Sequence, residues 1–171
     1  TVALAEKYRK KAAVIRAFEL AWTRSQVDEG YLNLKPNEAE VFQEMISRLV
    51  FLSPQKKRYQ DILRKNVKGQ QGLWAYGISG DLPIVLLAVK TTEDMGMVRS
   101  ILKAHEYWRF KGFRADLVIF NEDETGYLQP VQEQIMEAVH ASLAREVLNR
   151  PGGVFVIRGN TLSEEDRVLL F

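Results

Sequence analysis

Four glycines, two aromatic rings, a hydroxyl and a carboxylate crowd into Gly69-Gln-Gln-Gly-Leu-Trp-Ala-Tyr-Gly-Ile-Ser-Gly-Asp-Leu-Pro83, the most unusual run in the chain. Glycine tolerates positive φ and close backbone approach, so the run reads as a tightly turned loop. The faces of Trp74 and Tyr76 suit stacking on the C–H surface of a sugar as well as packing in a core, and Ser79 and Asp81 are placed to hydrogen-bond hydroxyls. The plainer expectation is that both rings are core aromatics beneath a structural loop and that Asp81 is a turn or capping residue. The glycine spacing is not a dinucleotide fingerprint, because it precedes a strand instead of joining strand to helix, and it lacks the Gly-Lys-Ser/Thr ending of a P-loop.

A second polar group is formed by Glu122, Asp123 and Glu124, with Thr91, Thr92, Glu93, Asp94, Arg158 and Asn160. All fall just beyond apolar runs, at the strand ends where α/β sheets bind ligands. Clustered acids there read first as solvated loop residues. Glu122 and Glu124 share a face if the segment is extended, which is the whole case for a metal between them. His105 lies on an apolar helical stripe beside Trp108 and reads as a packed histidine, since no nucleophile or acid is tied to it by a motif; His140 is less distinctive still. The basic run from Lys56 to Lys68, with Arg58, Arg64 and Lys65 against the single acid Asp61, reads as a solvated helix face. Its functional reading is docking to an acidic neighbouring domain or an anionic membrane leaflet.

The elements that must position these groups follow from periodicity. In the first third, Leu4, Tyr8, Ala12, Ile15, Phe18 and Trp22 recur at helical intervals and should line one face of a helix stopped at Gly30. A second helix after Pro36 carries Val41, Phe42, Met45, Ile46, Leu49 and Val50 as far as Ser53 and Pro54, and a third spans about 55–65. After Gly69 the pattern changes. Ile84–Val89, Asp116–Phe120 and Val154–Ile157 are short apolar runs, expected as strands buried on both faces. Between the first two lies a helix opened by Thr91 with Asp94 and closed by Gly112; between the last two lies another, from Leu128 through Ser142, ending at Asn149 to Gly152. Such βαβ spacing makes the strands parallel. The expected fold is α/β: a small three-stranded parallel sheet centred on Leu86, Val118 and Phe155, with crossover helices, preceded by a helical N-terminal region that covers part of the sheet. Ser163, followed by Glu164, Glu165 and Asp166, should start a final helix, and a chain opening at Thr1 without Met and closing at Phe171 within that pattern reads as an excerpt.

Composition narrows the function classes. In 171 residues, 46% are hydrophobic and 27% charged, which suits a globular domain with one sizeable core. The longest apolar run, Ile84–Val89, is far too short to cross a bilayer, and the N-terminus lacks the apolar core of a signal peptide. No cysteine and two histidines give no disulfide framework or thiolate zinc site. The balance of 24 basic and 22 acidic residues gives no charge argument for nucleic acid.

The string from Gly69 through Pro83-Ile-Val, then Leu102-Lys-Ala-His-Glu-Tyr-Trp-Arg-Phe-Lys-Gly112 and Asp116-Leu-Val-Ile-Phe-Asn-Glu122, resembles the cyclic β-1,2-glucan synthase family. Ala5-Glu-Lys-Tyr-Arg9, Ala17-Phe-Glu-Leu-Ala-Trp22 and Gly152-Gly-Val-Phe-Val-Ile-Arg158 look like it too, so the resemblance covers essentially the whole chain. It implies a segment of a very large, membrane-embedded glycosyltransferase that polymerises glucose from UDP-glucose, cyclises the chain and carries regions similar to family 94 phosphorylases. Residues 1–68 would then be a helical region continuing from a preceding phosphorylase-type β-sandwich. Residues 69–171 would be the glycine-rich loop and a βαβαβα layer, packed with it as one globular unit. The implied partners are other domains of the same parent chain and β-1,2-glucan, with no nucleic acid and no membrane span in the segment. The implied place is the cytoplasmic side of a bacterial inner membrane, the segment itself being soluble. No cofactor is expected. The family's transferase motif, Asp-x-Asp, is missing, and Gly80-Asp81 is followed by Leu82-Pro83 where the phosphorylase acid loop has Trp-Asn. The expectation is therefore a non-catalytic module that contacts carbohydrate through Trp74, Tyr76, Ser79 and Asp81, with Glu122, Glu124 and Asn160 as strand-end polar candidates. The alternative is an unrecognised carbohydrate-active site using Asp81 and the strand-end acids.

Overall fold

The computed structural model describes residues 2–51, 60–123 and 129–170. The chain divides into two compact units, Thr1–Val41 and Phe42–Phe171.

The first unit holds two helices where the apolar spacing suggested one. Helix α1 (Val2–Tyr8) ends at an extended Lys10, from which α2 (Lys11–Tyr31) starts afresh. Helix α2 runs through Gly30 instead of stopping there. The left-handed residue that turns the chain is Asn33, at φ 48°, a role asparagine fills because its short side chain tolerates that region. No residue of α1 or α2 is buried, so the stripe from Leu4 to Trp22 lies exposed. Helix α3 (Pro36–Val50) follows, with the Lys35 N–H donating to Glu38 at 2.8 Å in its first turn.

In the second unit, Phe42 of α3 is buried, while Val50 is exposed. Helix α4 (Gln60–Lys65) is the described part of the expected third helix. The breakers Ser53 and Pro54, together with Lys56, Lys57, Arg58 and Tyr59, lie outside the described residues. Strands β1 (Ile84–Val89), β2 (Asp116–Asn121) and β3 (Val154–Arg158) form a parallel sheet in the order β1-β2-β3. The register puts Leu86 beside Val118 and Val118 beside Phe155, so the three expected centres share one rung. Only β2 is buried along its whole length. Strand β1 is half-buried up to Val89, because it sits at an edge and not between neighbours.

One face of the sheet is covered by the two crossover helices, α5 (Met95–Phe110) and α6 (Pro130–His140). Val98 and Leu102 of α5 and Val131, Ile135 and Val139 of α6 pack on Leu117, Ile119, Val89 and Val154. The expected cap at Thr91 is present, as the Asp94 carboxylate accepts the N–H groups of Lys90 at 2.9 Å and Thr91 at 3.0 Å. Helix α5 also receives α3: the Trp108 indole N–H donates to the Phe42 carbonyl at 2.8 Å. Helix α6 ends earlier than expected. The Ser142 hydroxyl donates to the Val139 carbonyl and accepts from the Ala144 N–H, diverting the chain into a 3-10 turn, Leu143–Val147. Its expected first apolar residue, Leu128, lies outside the described residues.

The opposite face is covered by the glycine-rich stretch, which is helical where its glycines suggest a loop. Residues Gln70–Tyr76 form a 3-10 helix, closed by Gly77 at φ 74°, a conformation that strains any side-chain-bearing residue. Leu73 and Ile78 from this stretch, with Leu170 of α7 (Glu164–Leu170), pack on Val118, Phe120, Phe155 and Ile157. Helix α7, which shares this cover, is capped at its start by Ser163 accepting from the Asp166 N–H at 3.2 Å.

Candidate functional site

The glycine-rich stretch splits its polar and aromatic residues between two sides. On the outer side Trp74 is 59% exposed. Its indole N–H donates to the Ser79 carbonyl at 3.2 Å, which fixes the ring plane relative to the turn. The Gln70 amide donates to the same carbonyl at 2.8 Å and to Asp81 Oδ1 at 3.0 Å, while the Ser79 hydroxyl accepts the Asp81 N–H at 3.2 Å. Gly80, at φ 76°, allows the turn to fold back so closely that a Cβ there would meet Gln70 Cγ at 2.7 Å. These contacts shape an open hollow of about 390 Å³ lined by Gln70, Trp74, Gly77, Ile78, Ser79 and Asp81. Ile78 is fully buried and forms its floor.

Tyr76 does not join this group. It packs against the core on the sheet's second face, and its hydroxyl is hydrogen-bonded to Asp166; burial first, and that carboxylate second, push its pKa up. Lys68 reaches the same carboxylate at 2.8 Å and Glu165 at 3.4 Å. The Lys68 ammonium, then Ser163, hold the Asp166 carboxyl down at about 2. The last lysine of the basic run therefore serves an internal tie to α7, whereas Arg64 points to Asp61 at 4.0 Å with both side chains largely in solvent.

Of the strand-end candidates, Glu122 pairs with Lys90 at 3.3 Å. Asn160 is exposed in a short 3-10 turn, Gly159–Thr161, and Glu124 lies outside the described residues. Asn121 is buried and donates to Gln132 at 3.1 Å, so the end of β2 is closed by an amide pair. Among the described residues no group of three His, Cys, Asp or Glu could hold a metal ion.

Asp81 lies three residues ahead of β1, at the sheet's N-terminal edge, while Glu122 and Asn160 lie past β2 and β3 at the C-terminal edge. A six-residue strand spans roughly 20 Å, so the two sets do not converge. What lies closer to Asp81 is Asp116, whose carboxyl is fully buried. One oxygen accepts the Gly152 N–H at 2.6 Å and the other has no partner. Burial chiefly, and the Asp81 charge in part, raise its pKa, with Gly152 and Arg114 opposing. On the other side of the same edge, His105 Nε2 sits 3.1 Å from the Ala115 carbonyl, and burial pushes its pKa down.

The sequence reading missed Gln70 as the residue that joins Trp74, Ser79 and Asp81. No local signal marks it, because its partners lie nine and eleven residues further along the chain. Among the described residues no helix is long and apolar enough to cross a membrane.

No protein-family profile matches the chain. The chain is similar to a segment of a cyclic glucan synthase, so the resemblance read from the sequence holds over nearly its whole length. That relative is the cyclic beta-(1,2)-glucan synthase NdvB of Rhizobium meliloti (strain 1021), 30% identical over 161 residues, 94% of this chain; the chain spans 6% of the relative's length.

Proposed function

We propose that this chain is a non-catalytic module of a cyclic β-1,2-glucan synthase and that it contacts glucan through Trp74, with Gln70, Ser79 and Asp81 around it. The observation that carries the reading is an exposed indole, held by its own N–H to the Ser79 carbonyl, beside a carboxylate with an acceptor oxygen to spare. A pinned ring offers a flat face to the axial C–H groups of a glucosyl unit at little entropic cost, and Asp81 can accept from a sugar hydroxyl. The separation of Asp81 from Glu122 and Asn160 supports a binding role over chemistry, which requires two groups acting on one bond. Glucose transfer from UDP-glucose then belongs to other domains of the membrane-associated parent, which are also this module's partners.

The test is a titration of β-1,2-glucan oligosaccharides against wild type and Trp74→Ala, with thermal unfolding followed in parallel. Binding should weaken about tenfold or more in the variant, while stability stays within about 1 kcal/mol because the ring is exposed. Absence of binding to the wild type rejects the contact. Turnover of UDP-glucose, or phosphorolysis of glucan, by the purified chain would reject the non-catalytic assignment.

A further inference from the structure

Strand β1 has the sequence of an interior strand and the position of an edge. Its six residues, Ile-Val-Leu-Leu-Ala-Val, carry no charge, no proline and no glycine. Parallel strands that read this way are usually enclosed by a neighbour on each side, and natural edges are normally blunted. The other edge of this sheet follows that rule: the chain's own Leu148 bridges Val154 on the outer side of β3, and the Asn149 N–H donates to the Val154 carbonyl at 2.8 Å.

The ladder shows which backbone groups of β1 are left over. Asp116 N–H donates to the Pro83 carbonyl and Glu122 N–H to the Val89 carbonyl, so Val85, Leu87 and Val89 face β2. The N–H and C=O groups of Ile84, Leu86 and Ala88 therefore point outward, and none has a hydrogen-bond partner among the described residues.

We propose that this edge pairs with β1 of a second copy of the chain, antiparallel about a two-fold axis at Leu86. Outward-facing residues spaced by two are what an antiparallel ladder uses for its pairs that exchange both bonds. With Leu86 opposite its own copy, Ile84 falls opposite Ala88 and Ala88 opposite Ile84, so about six hydrogen bonds satisfy every leftover group. The interface is isologous and closes on itself, making one six-stranded sheet. Charge allows it: Lys90, the charge nearest the strand, pairs with Glu122 in its own copy, and the antiparallel arrangement sets the two Lys90 side chains at opposite ends. A contact made by one strand edge and its flanks falls below the roughly 1,200 Å² at which standard interfaces begin, so a weak, reversible dimer is expected. This inference is independent of the glucan reading.

The experiment combines sedimentation equilibrium from about 5 µM to 1 mM, the span for a weak interface, with residue-resolved amide exchange. A monomer–dimer equilibrium is expected. The amides of Ile84, Leu86 and Ala88 should exchange fast when dilute and slow down as the dimer fills, while those of Val85, Leu87 and Val89 stay protected throughout. Ala88→Pro removes an outward N–H and leaves the ladder to β2 intact, a place where an edge strand accepts proline. It should weaken dimerisation about 30-fold, equivalent to about 2 kcal/mol at 1.4 kcal/mol per tenfold. A wild type that stays monomeric overturns the proposal and leaves the edge to a strand of other sequence. A dimer in which the three outward amides keep exchanging fast overturns it equally, and that readout needs no variant.

Discussion

Helices α5 and α2 each carry a tryptophan in an apolar pattern of helical spacing, yet Trp108 is fully buried and Trp22 is 69% exposed. Helix α5 buries seven residues, from Met95 to Trp108; α2, longer at 21 residues, buries none. The difference lies in what each helix meets. The buried residues of α5 sweep about 240° of its circumference at 100° per residue, with Val98 and Leu102 on the sheet and Tyr107 and Trp108 on Phe42 of α3. The apolar groups of α2 fall on two nearly opposite sides, Ile15, Phe18 and Trp22 on one and Leu20, Val27 and Tyr31 on the other, at 100° per residue. Periodicity decides that both segments are helical. Burial depends on a partner surface, and a helix apolar on two sides needs two.

The comparison is most exposed to test at Trp108. Trp108→Ala removes a fully buried ring, its edge contacts with His105 and Phe113, and the donor to the Phe42 carbonyl. It should cost about 3–5 kcal/mol in urea unfolding. A loss under 1 kcal/mol would mean the layer around α5 is not the stable part of the chain. Gly153→Ala should follow. A Cβ there would be driven into the backbone carbonyl of Val147, with that of Arg150 2.8 Å away, so the turn into β3 must shift. Such overpacking costs about 1–3 kcal/mol. An unchanged midpoint would show that this turn yields freely.

A smaller effect is expected from acid. Burial lowers the folded-state pKa of His105 below its ordinary 6.5, so the unfolded chain takes up that proton first and stability falls as pH drops below about 6.5. Asp116 acts with the opposite sign. Its raised pKa means the folded state binds the proton first, so stability gains as pH falls through that value toward the ordinary 3.8. Asp116→Asn keeps an acceptor for the Gly152 N–H and removes the opposing gain. Its unfolding free energy should therefore decline more steeply than wild type between pH 7 and 4; equal slopes would mean that Asp116 is not buried as an acid.

Where the sequence was legible, a local signal coincided with the tertiary outcome. The three strands were readable because each is a short apolar run between breakers, and the start of α5 because Thr91 and Asp94 satisfy backbone donors within one turn. The end of α6 was not readable, since Ser142 diverts a chain whose apolar spacing continues. Gly30 misled because a glycine signals a helix end only if the chain needs a left-handed residue there, and Asn33 fills that need. Trp74 was expected in the core with Tyr76; two residues apart in a 3-10 turn, they face different sides. Gln70 carries no signature of its own, because its role arises from Gly80 folding the turn back onto it.

The smallest expected effect is at Trp22. Truncating an exposed ring leaves no cavity and strands no buried donor, so Trp22→Ala should change the free energy of unfolding by about 0.5 kcal/mol or less. Phe18→Ala, at 73% exposure on the same side, should behave alike. Urea denaturation followed by circular dichroism gives the numbers, and the difference between the wild-type and Trp22→Ala emission spectra isolates Trp22 from Trp74 and Trp108, with a red-shifted maximum if the indole is in water. A loss above about 2 kcal/mol with a blue-shifted maximum would mean that the ring is covered in solution. Helix α2 would then differ from α5 only in the source of its cover. A neutral result with a red-shifted maximum keeps the two helices distinct: α5 is held by its own chain's sheet, and α2 keeps both apolar sides open.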